Sequence, residues 1–377
     1  MRIALISRRF DATGGGTERD LLSTARILAA AGHQVTIYAD EVRSRCGDLR
    51  VRRVGTLPLG RALRFLSFGL RVALVARREG AEMVMSFARA LNADIMRSGG
   101  GAHASYSRAA RQWQSPIMSA SMRLSPYHRA QIALERVSFK SRKVLCAIAV
   151  SELVRHDLVK TFTLPPSKVV TLYNGVDLRR FAPNSDRFLA RKIRGELGIA
   201  EDASAIAFIG HGFARKGLSF LVEAWPLVDS RACLVVAGAD RAAAAYRRRA
   251  TQLGIGHRVI FVGPRDDIDR LFAAVDAVAL PSLFEPFGNV VMEAMAAGLP
   301  ALCSKQTGAA ELIPRGLREL VIEDPTNIED LARRVNLLLR LRGDASRLVR
   351  ETAEQYTWER YGTELLRIIS GLRQAQP

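Results

Sequence analysis

The chain has 377 residues, 48% of them hydrophobic, and carries 56 Lys and Arg against 37 Asp and Glu, a net charge of +19. That length exceeds one ordinary core and fits two α/β domains, while the basic excess points to an anionic partner: a phosphorylated substrate, membrane lipid or nucleic acid. Cys46, Cys146, Cys233 and Cys303 form no C-x-x-C pair and three of them lie in apolar runs, which argues against a disulfide framework and for a reducing cytoplasm; no uncharged run reaches 18 residues, so the sequence predicts no bilayer span.

In chain order, a short apolar strand at Ile3–Ile6 runs into Gly14, Gly15 and Gly16 and then a helix from about Glu18 to Ala31, ended by Gly32. Glycines ahead of a helix let backbone approach a phosphate or sugar, with Asp20 in the helix beside them. The run is not G-x-G-x-x-G, and a flexible connector explains it about as well. Strands at Gln34–Tyr38, Met83–Ser86 and Val144–Val150 continue the alternation of a parallel sheet.

Between the last two strands, residues 97–143 carry Arg97, Arg108, Arg111, Arg123, Arg129, Arg136, Lys140, Arg142 and Lys143 against the single acid Glu135. Tyr106, Trp113, Ile117, Met118, Met122, Leu124 and Tyr127 are interleaved with them. Cations mixed with Trp, Tyr and Met are what a membrane-surface segment uses, each cation near an anionic leaflet contributing about 1 kcal/mol. The segment 104–143 therefore predicts contact with an anionic membrane; a solvated helical hairpin is the alternative. His103 follows Gly99, Gly100 and Gly101, on a loop from which an imidazole can meet a ligand.

The stretch VVTLYNGVDLRRF, Val169 to Phe181, contains the turn signal Asn174-Gly175, where the domain boundary is placed. A second set of strands follows at Ala205–Gly210, Cys233–Gly238, Val259–Val262, Ala277–Leu280 and Ala301–Cys303. The first runs into HGFARKG, where Arg215 and Lys216 can neutralise a diphosphate. The fourth stops at Pro281 before SLFEPFGNVVMEAMAAGLP: a loop with Glu285, Phe287, Gly288 and Asn289, then a helix to Ala297 with Glu293 one turn inside it. Two solvated carboxylates are the ordinary reading of such a pair. Their place at the carboxyl end of a strand favours a ligand site. Asp267-Ile268-Asp269 has D-x-D form, but the acids fall in a helix's first turn, with Asp266 as its cap, and need no metal.

EPFGNVVMEAMAAGLP resembles the E-x7-E signature of the retaining glycosyltransferases of family 4, and FARKG and NGVDLRRF are similar to that family's diphosphate clamp and domain crossing. Together with Arg97–His103 and the basic 104–143 segment, they resemble most the lipopolysaccharide core glucosyltransferase I family. The resemblance implies the α/β GT-B fold: two facing Rossmann-like domains with the active site in the cleft. These would be residues 1–175 as the acceptor domain and 176–357 as the nucleotide-sugar domain, with a last helix, 358–377, crossing back onto the first. It implies a metal-independent, retaining transfer of a hexose, glucose above all, from a UDP-sugar to a lipid-linked or lipopolysaccharide core acceptor. The cytoplasmic face of the inner membrane is the implied location, with no cofactor and no nucleic acid. The catalytic groups would be Glu285, Arg215, Lys216 and His103, the last beside the sugar hydroxyls. The donor would also touch Gly15, Gly16, Asp20, Phe287, Gly288, Asn289 and, at the ribose, Glu293. Two alternatives stay open: a GT-B transferase using GDP-mannose or UDP-N-acetylglucosamine on another glycan, and a basic nucleic-acid-binding protein, supported by charge alone.

Overall fold

The computed structural model describes residues 1–374 except 13, 45, 185 and 342; the last three residues of the expected closing helix lie outside the described residues. The chain divides into two compact units, one of residues 1–175 with 358–377 and one of residues 176–357.

The first unit is a seven-stranded sheet: β1 (Arg2–Phe10), β2 (Gln34–Val42), β3 (Arg50–Arg53), β4 (Met83–Ser86), β5 (Ile95–Ser98), β6 (Cys146–Ala149) and β7 (Val169–Thr171), in the order β3-β2-β1-β4-β5-β6-β7. Every neighbouring pair is parallel. Its helices are α1 (Gly16–Ala30), α2 (Gly60–Arg78), α3 (His103–Ala109), α4 (Pro116–Leu124), α5 (Pro126–Lys140) and α6 (Glu152–Phe162). The strand order reverses between β1 and β4, so the turns after those two strands diverge and leave a crevice at their carboxyl ends.

The second unit has six parallel strands, β8 (Ser204–Ile209), β9 (Ala232–Ala237), β10 (Val259–Gly263), β11 (Ala277–Leu280), β12 (Ala301–Ser304) and β13 (Val321–Ile322), ordered β10-β9-β8-β11-β12-β13. This is the dinucleotide-fold order, reversing between β8 and β11. Around it lie α7 (Arg187–Leu197), α8 (Leu218–Ala224), α9 (Ala243–Gln252), α10 (Ile268–Phe272), α11 (Asn289–Ala296), α12 (Ile328–Arg340) and α13 (Gly343–Ala353). Both faces of such a sheet are covered, which is why β9 and β11 are apolar throughout rather than alternating.

The closing helix, α14 (Trp358–Gln374), belongs to the first unit. Tyr361, Leu365 and Ile369 recur every four residues, forming one stripe buried with Ile3, Leu5, Leu21 and Leu28. Gly362 lets α14 close onto α1, because a Cβ there would stand 2.7 Å from Ile27 Cγ2. Thr24 on α1 and Tyr361 on α14 share a buried hydrogen bond of 3.2 Å.

Candidate functional site

In the second unit the two loops at the switch point are the ones that carry the predicted chemistry. The loop after β8 ends at Gly217 and the loop after β11 begins at Pro281. Gly217 has φ +82°, and a Cβ on it would lie 2.0 Å from the Pro281 carbonyl oxygen. Only glycine allows both that conformation and that approach. The Leu283 N–H donates to the Arg215 carbonyl at 2.8 Å, tying the loops together.

The side chains then converge. Lys216 Nζ donates to Glu285 Oε2 at 2.6 Å, and Arg215 Nη1 donates to the same oxygen at 3.0 Å and to the Phe284 carbonyl at 2.6 Å. Burial alone would push the Glu285 carboxyl up; the charges of Lys216 and Arg215 outweigh it and hold the group down at about 2. One carboxylate thus holds two cations side by side, leaving a net positive charge and free donor valences on both.

A third loop, after β12, fixes Glu285 from behind. The Glu285 N–H donates to the Gln306 carbonyl at 3.0 Å, Gly308 N–H to the Glu285 carbonyl at 2.9 Å, and Ala309 N–H to the Phe287 carbonyl at 2.7 Å. Nothing in the motif E-P-F-G announces this splint, which is made by backbone groups alone. Gly288, at φ +91°, caps α11, and a Cβ there would meet Thr307 Cγ2 at 2.8 Å. Asn289 opens the helix, Phe287 is buried, and Glu293, 8% exposed, sits one turn in.

The D-x-D acids are each taken by arginine. Asp267 makes a bidentate pair with Arg265 at 2.8 and 2.6 Å, and Asp269 pairs with Arg180 at 3.2 Å. The cap expectation is corrected here. Asp267, not Asp266, occupies the N-cap of α10, and its carboxylate makes no capping hydrogen bond because Arg265 holds it. Among the described residues no group of three His, Cys, Asp or Glu is placed to hold a metal ion.

In the first unit Gly15 caps α1 and Gly16 is its first residue. Asp20, one turn on, points inward. Its Oδ2 accepts from Arg97 Nη2 at 3.0 Å and from Asn174 Nδ2 at 3.0 Å, while Arg97 also donates to Asn174 Oδ1 at 2.6 Å. All three are buried and Arg97 stacks over Phe87 at 4.7 Å. Asp20 therefore holds a buried arginine beneath the loop. Sequence reasoning missed Asn174 as its partner, since N-G reads only as a turn.

His103 is the first residue of α3. Its N–H donates to Glu135 Oε2 at 2.8 Å, and Glu135 is ion-paired with Arg89 at 3.1 Å. The ring stacks with Tyr106 at 5.8 Å, and Nε2 lies 2.9 Å from His128 Nδ1. Burial, then the Arg89 charge, lowers His103 to about 4, so its imidazole is neutral at pH 7.

The basic segment forms α3, α4 and α5. Among the described residues Arg108, Arg111, Arg123, Arg129, Arg136, Lys140, Arg142 and Lys143 make no ion pair, and the lone acid Glu135 is buried with Arg89. Helix α4 buries only Met122, whereas Ile117, Met118 and Leu124 are exposed. Two expected surface residues face inward instead: Met122 packs under its helix, and Tyr127 stacks edge-on against Phe65 at 5.6 Å. Leu63, Leu70 and Leu74 on α2 are exposed as well. No described helix is long and apolar enough to cross a membrane.

Residues 14–180 match the family described as Glycosyltransferase Family 4, and residues 190–355 match Glycosyl transferases group 1. An uncharacterized glycosyltransferase of Methanocaldococcus jannaschii is 29% identical over 63% of this chain and 63% of its own length. The D-inositol 3-phosphate glycosyltransferase of Corynebacterium glutamicum is 27% identical over 86% of this chain and 85% of its own. The lipopolysaccharide glucosyltransferase WaaG of Escherichia coli is 26% identical over 84% of each. Among solved structures, a WaaG glycosyltransferase involved in lipopolysaccharide biosynthesis superposes with TM-score 0.82 at 23% identity, covering 98% of this chain and 100% of that one. Anabaena HepE in complex with UDP-glucose superposes at TM-score 0.74 and 18% identity, covering 98% and 100%. With a Rossmann-like parallel sheet in each unit and the two family matches tiling the chain, this protein belongs to the GT-B glycosyltransferases of family 4.

Proposed function

We propose that the protein moves a hexose, glucose first among candidates, from a UDP-sugar to a lipid-linked or lipopolysaccharide core glycan, with retention of anomeric configuration. The observation that carries this reading is the Arg215–Lys216–Glu285 triad at the switch point of the second unit. Bond breaking at the sugar leaves a third negative charge on the departing diphosphate, the second on its terminal phosphate, and two preorganised cations stabilise that charge more than they stabilise the bound donor. They supply the positive charge that a metal would otherwise bring, which supports a metal-independent reaction. Glu285 keeps both cations aimed and orients sugar hydroxyls, Glu293 takes the ribose, and the neutral His103 contacts the transferred sugar in the first unit.

No side chain in the triad is a free nucleophile, since Glu285 is committed to two cations. Retention then follows from front-face attack, with the donor's phosphate oxygen accepting the acceptor proton. The HepE complex supports UDP-glucose as the kind of donor, and the WaaG relative supports a lipopolysaccharide acceptor. The D-inositol 3-phosphate glycosyltransferase relatives favour a second reading, a phosphorylated polyol acceptor. Ile117, Met118 and Leu124, exposed among unpaired cations, support peripheral binding to the anionic cytoplasmic face of the inner membrane.

A thermal-shift screen across UDP-glucose, UDP-N-acetylglucosamine and GDP-mannose tests the donor, because a site ligand raises Tm with its occupancy. UDP-glucose should give the largest shift, and R215A/K216A should abolish it and lower transfer by about a hundredfold or more. Near-normal turnover in that folded double variant refutes the clamp.

A further inference from the structure

The first unit has its own switch point, and two arginines there have no ion pair among the described residues. Arg8 lies near the carboxyl end of β1 and Arg61 in the first turn of α2. Arg8 Nη1 donates to Tyr127 Oη at 2.7 Å, with its Cζ 5.9 Å from the Tyr127 ring and 5.5 Å from Phe65. Arg61 Cζ stands 4.8 Å from the same Tyr127 ring. Gln131 Nε2 also donates to Tyr127 Oη, at 3.2 Å, fixing that ring.

Neither guanidinium has an ion pair among the described residues, and acids on the neighbouring strand β2 and on α5 are engaged by other arginines. Asp40 is held by Arg64 at 3.0 Å, Glu41 by Arg9 at 3.0 Å and Arg64 at 3.3 Å, and Glu135 by Arg89 at 3.1 Å. The first turn of α2 contains no acid. Two like charges brought to one ring repel each other, and a cation–π contact offsets only about 0.5–1 kcal/mol apiece at exposed sites. A dianion placed between them neutralises both and accepts from two planar forks. His128, the residue after Tyr127, adds no third charge: burial, with Arg61's own charge contributing, lowers its pKa. Its Nδ1 is the atom 2.9 Å from His103 Nε2, so this cationic pair adjoins the histidine proposed above to contact the sugar.

We infer that Arg8 and Arg61, gathered around Tyr127, bind a phosphate monoester of the acceptor, next to the hydroxyl that receives the sugar. This rests on the proposed division of labour, with the acceptor in the first unit and the nucleotide in the second. A carboxylate would neutralise only one of the pair, which is why the dianion is favoured. The phosphate can belong to a saccharide or to a lipid headgroup.

The test uses the full-length protein saturated with UDP, so that the diphosphate clamp is filled, and titrates it with labelled inorganic phosphate by equilibrium dialysis. Wild type should bind one phosphate per chain; R61M and R8M/R61M should weaken it tenfold or more, and R8K/R61K should recover part of the loss. UDP affinity should be the same in all four. R61M guards against misfolding, since Arg61 is exposed. Glucose 6-phosphate competing better than phosphatidate vesicles assigns the site to a saccharide phosphate, and the reverse order to a lipid. If wild type binds phosphate no better than R8M/R61M, the inference is overturned. If UDP itself does not bind, the donor reading fails, and the same comparison of wild type with R8M/R61M still decides the phosphate.

Discussion

Glu285→Gln separates the two jobs given to that residue. The change keeps the shape and an amide oxygen but removes the negative charge that lies 2.6 Å from Lys216 Nζ and 3.0 Å from Arg215 Nη1. Removing one partner of a buried pair costs about 3–5 kcal/mol; because glutamine still accepts hydrogen bonds, we take about 3. The second unit has roughly 180 residues, a size at which each kcal/mol moves Tm by about 2–4 °C, so the unliganded variant should melt about 6–12 °C lower. UDP supplies the missing anion. At a thousandfold over Kd it adds about 4 kcal/mol, enough to restore the wild-type Tm. Two cations freed of their internal counter-ion should also bind UDP about tenfold more tightly, a gain of about 1.4 kcal/mol. Transfer should nevertheless fall by about a hundredfold or more, because the sugar loses its positioning carboxylate. Scanning fluorimetry with and without UDP, titration calorimetry and a transfer assay read all of this. An unliganded Tm equal to wild type would refute the stabilising triad, and UDP affinity lowered tenfold would mean that Glu285 binds the nucleotide itself.

EDTA should leave transfer intact, since Arg215 and Lys216 supply the charge; loss restored only by Mg²⁺ or Mn²⁺ would return Asp267 and Asp269 to consideration. His103 is held neutral down to about 4 against its ordinary 6.5. The unfolded chain therefore takes up this proton first as pH falls, and stability should drop by up to about 3 kcal/mol from pH 6.5 to 4 and stay flat above. H103N should lose that slope in Tm measured from pH 4 to 7; identical slopes would show that His103 does not titrate as described. Changing Arg108, Arg111, Arg123 and Arg129 to Glu should release the protein from anionic vesicles without altering hydrolysis of the nucleotide sugar. Unchanged sedimentation with the vesicles would leave α4 an ordinary solvated helix.

The second unit was the more legible in sequence because its strands are buried on both faces and its loops carry glycines with fixed duties. Ala277–Leu280 is four apolar residues bounded by proline, and it is β11 without adjustment. The first unit hid more. Strand β5 reads I-M-R-S, and an arginine in a buried strand defeats hydrophobic patterning; Arg97 is tolerated only because Asp20 and Asn174, 77 residues away on either side, meet it. Strand β3, R-V-R-R, is an edge strand whose charges resemble a loop. At the site, residue types and spacing located Arg215, Lys216 and Glu285, but not that they bind each other, because an ion pair between loops 69 and 70 residues apart leaves no local pattern. The same holds for His128, whose relation to His103 arises from the packing of α5 against α3. In the basic segment composition announced a surface role, while the helical phase that buries Met122 and exposes Ile117 was fixed only by the start of α4 at Pro116.

The most direct measurement follows UDP-glucose by proton NMR as the protein hydrolyses it slowly without acceptor, at times shorter than mutarotation. Front-face departure assisted by Arg215 and Lys216 predicts that α-glucose is released first, with its signal appearing at the rate at which UDP accumulates and vanishing in R215A/K216A. Release of β-glucose first would contradict retention, and consumption of a different nucleotide sugar with UDP-glucose untouched would contradict the donor.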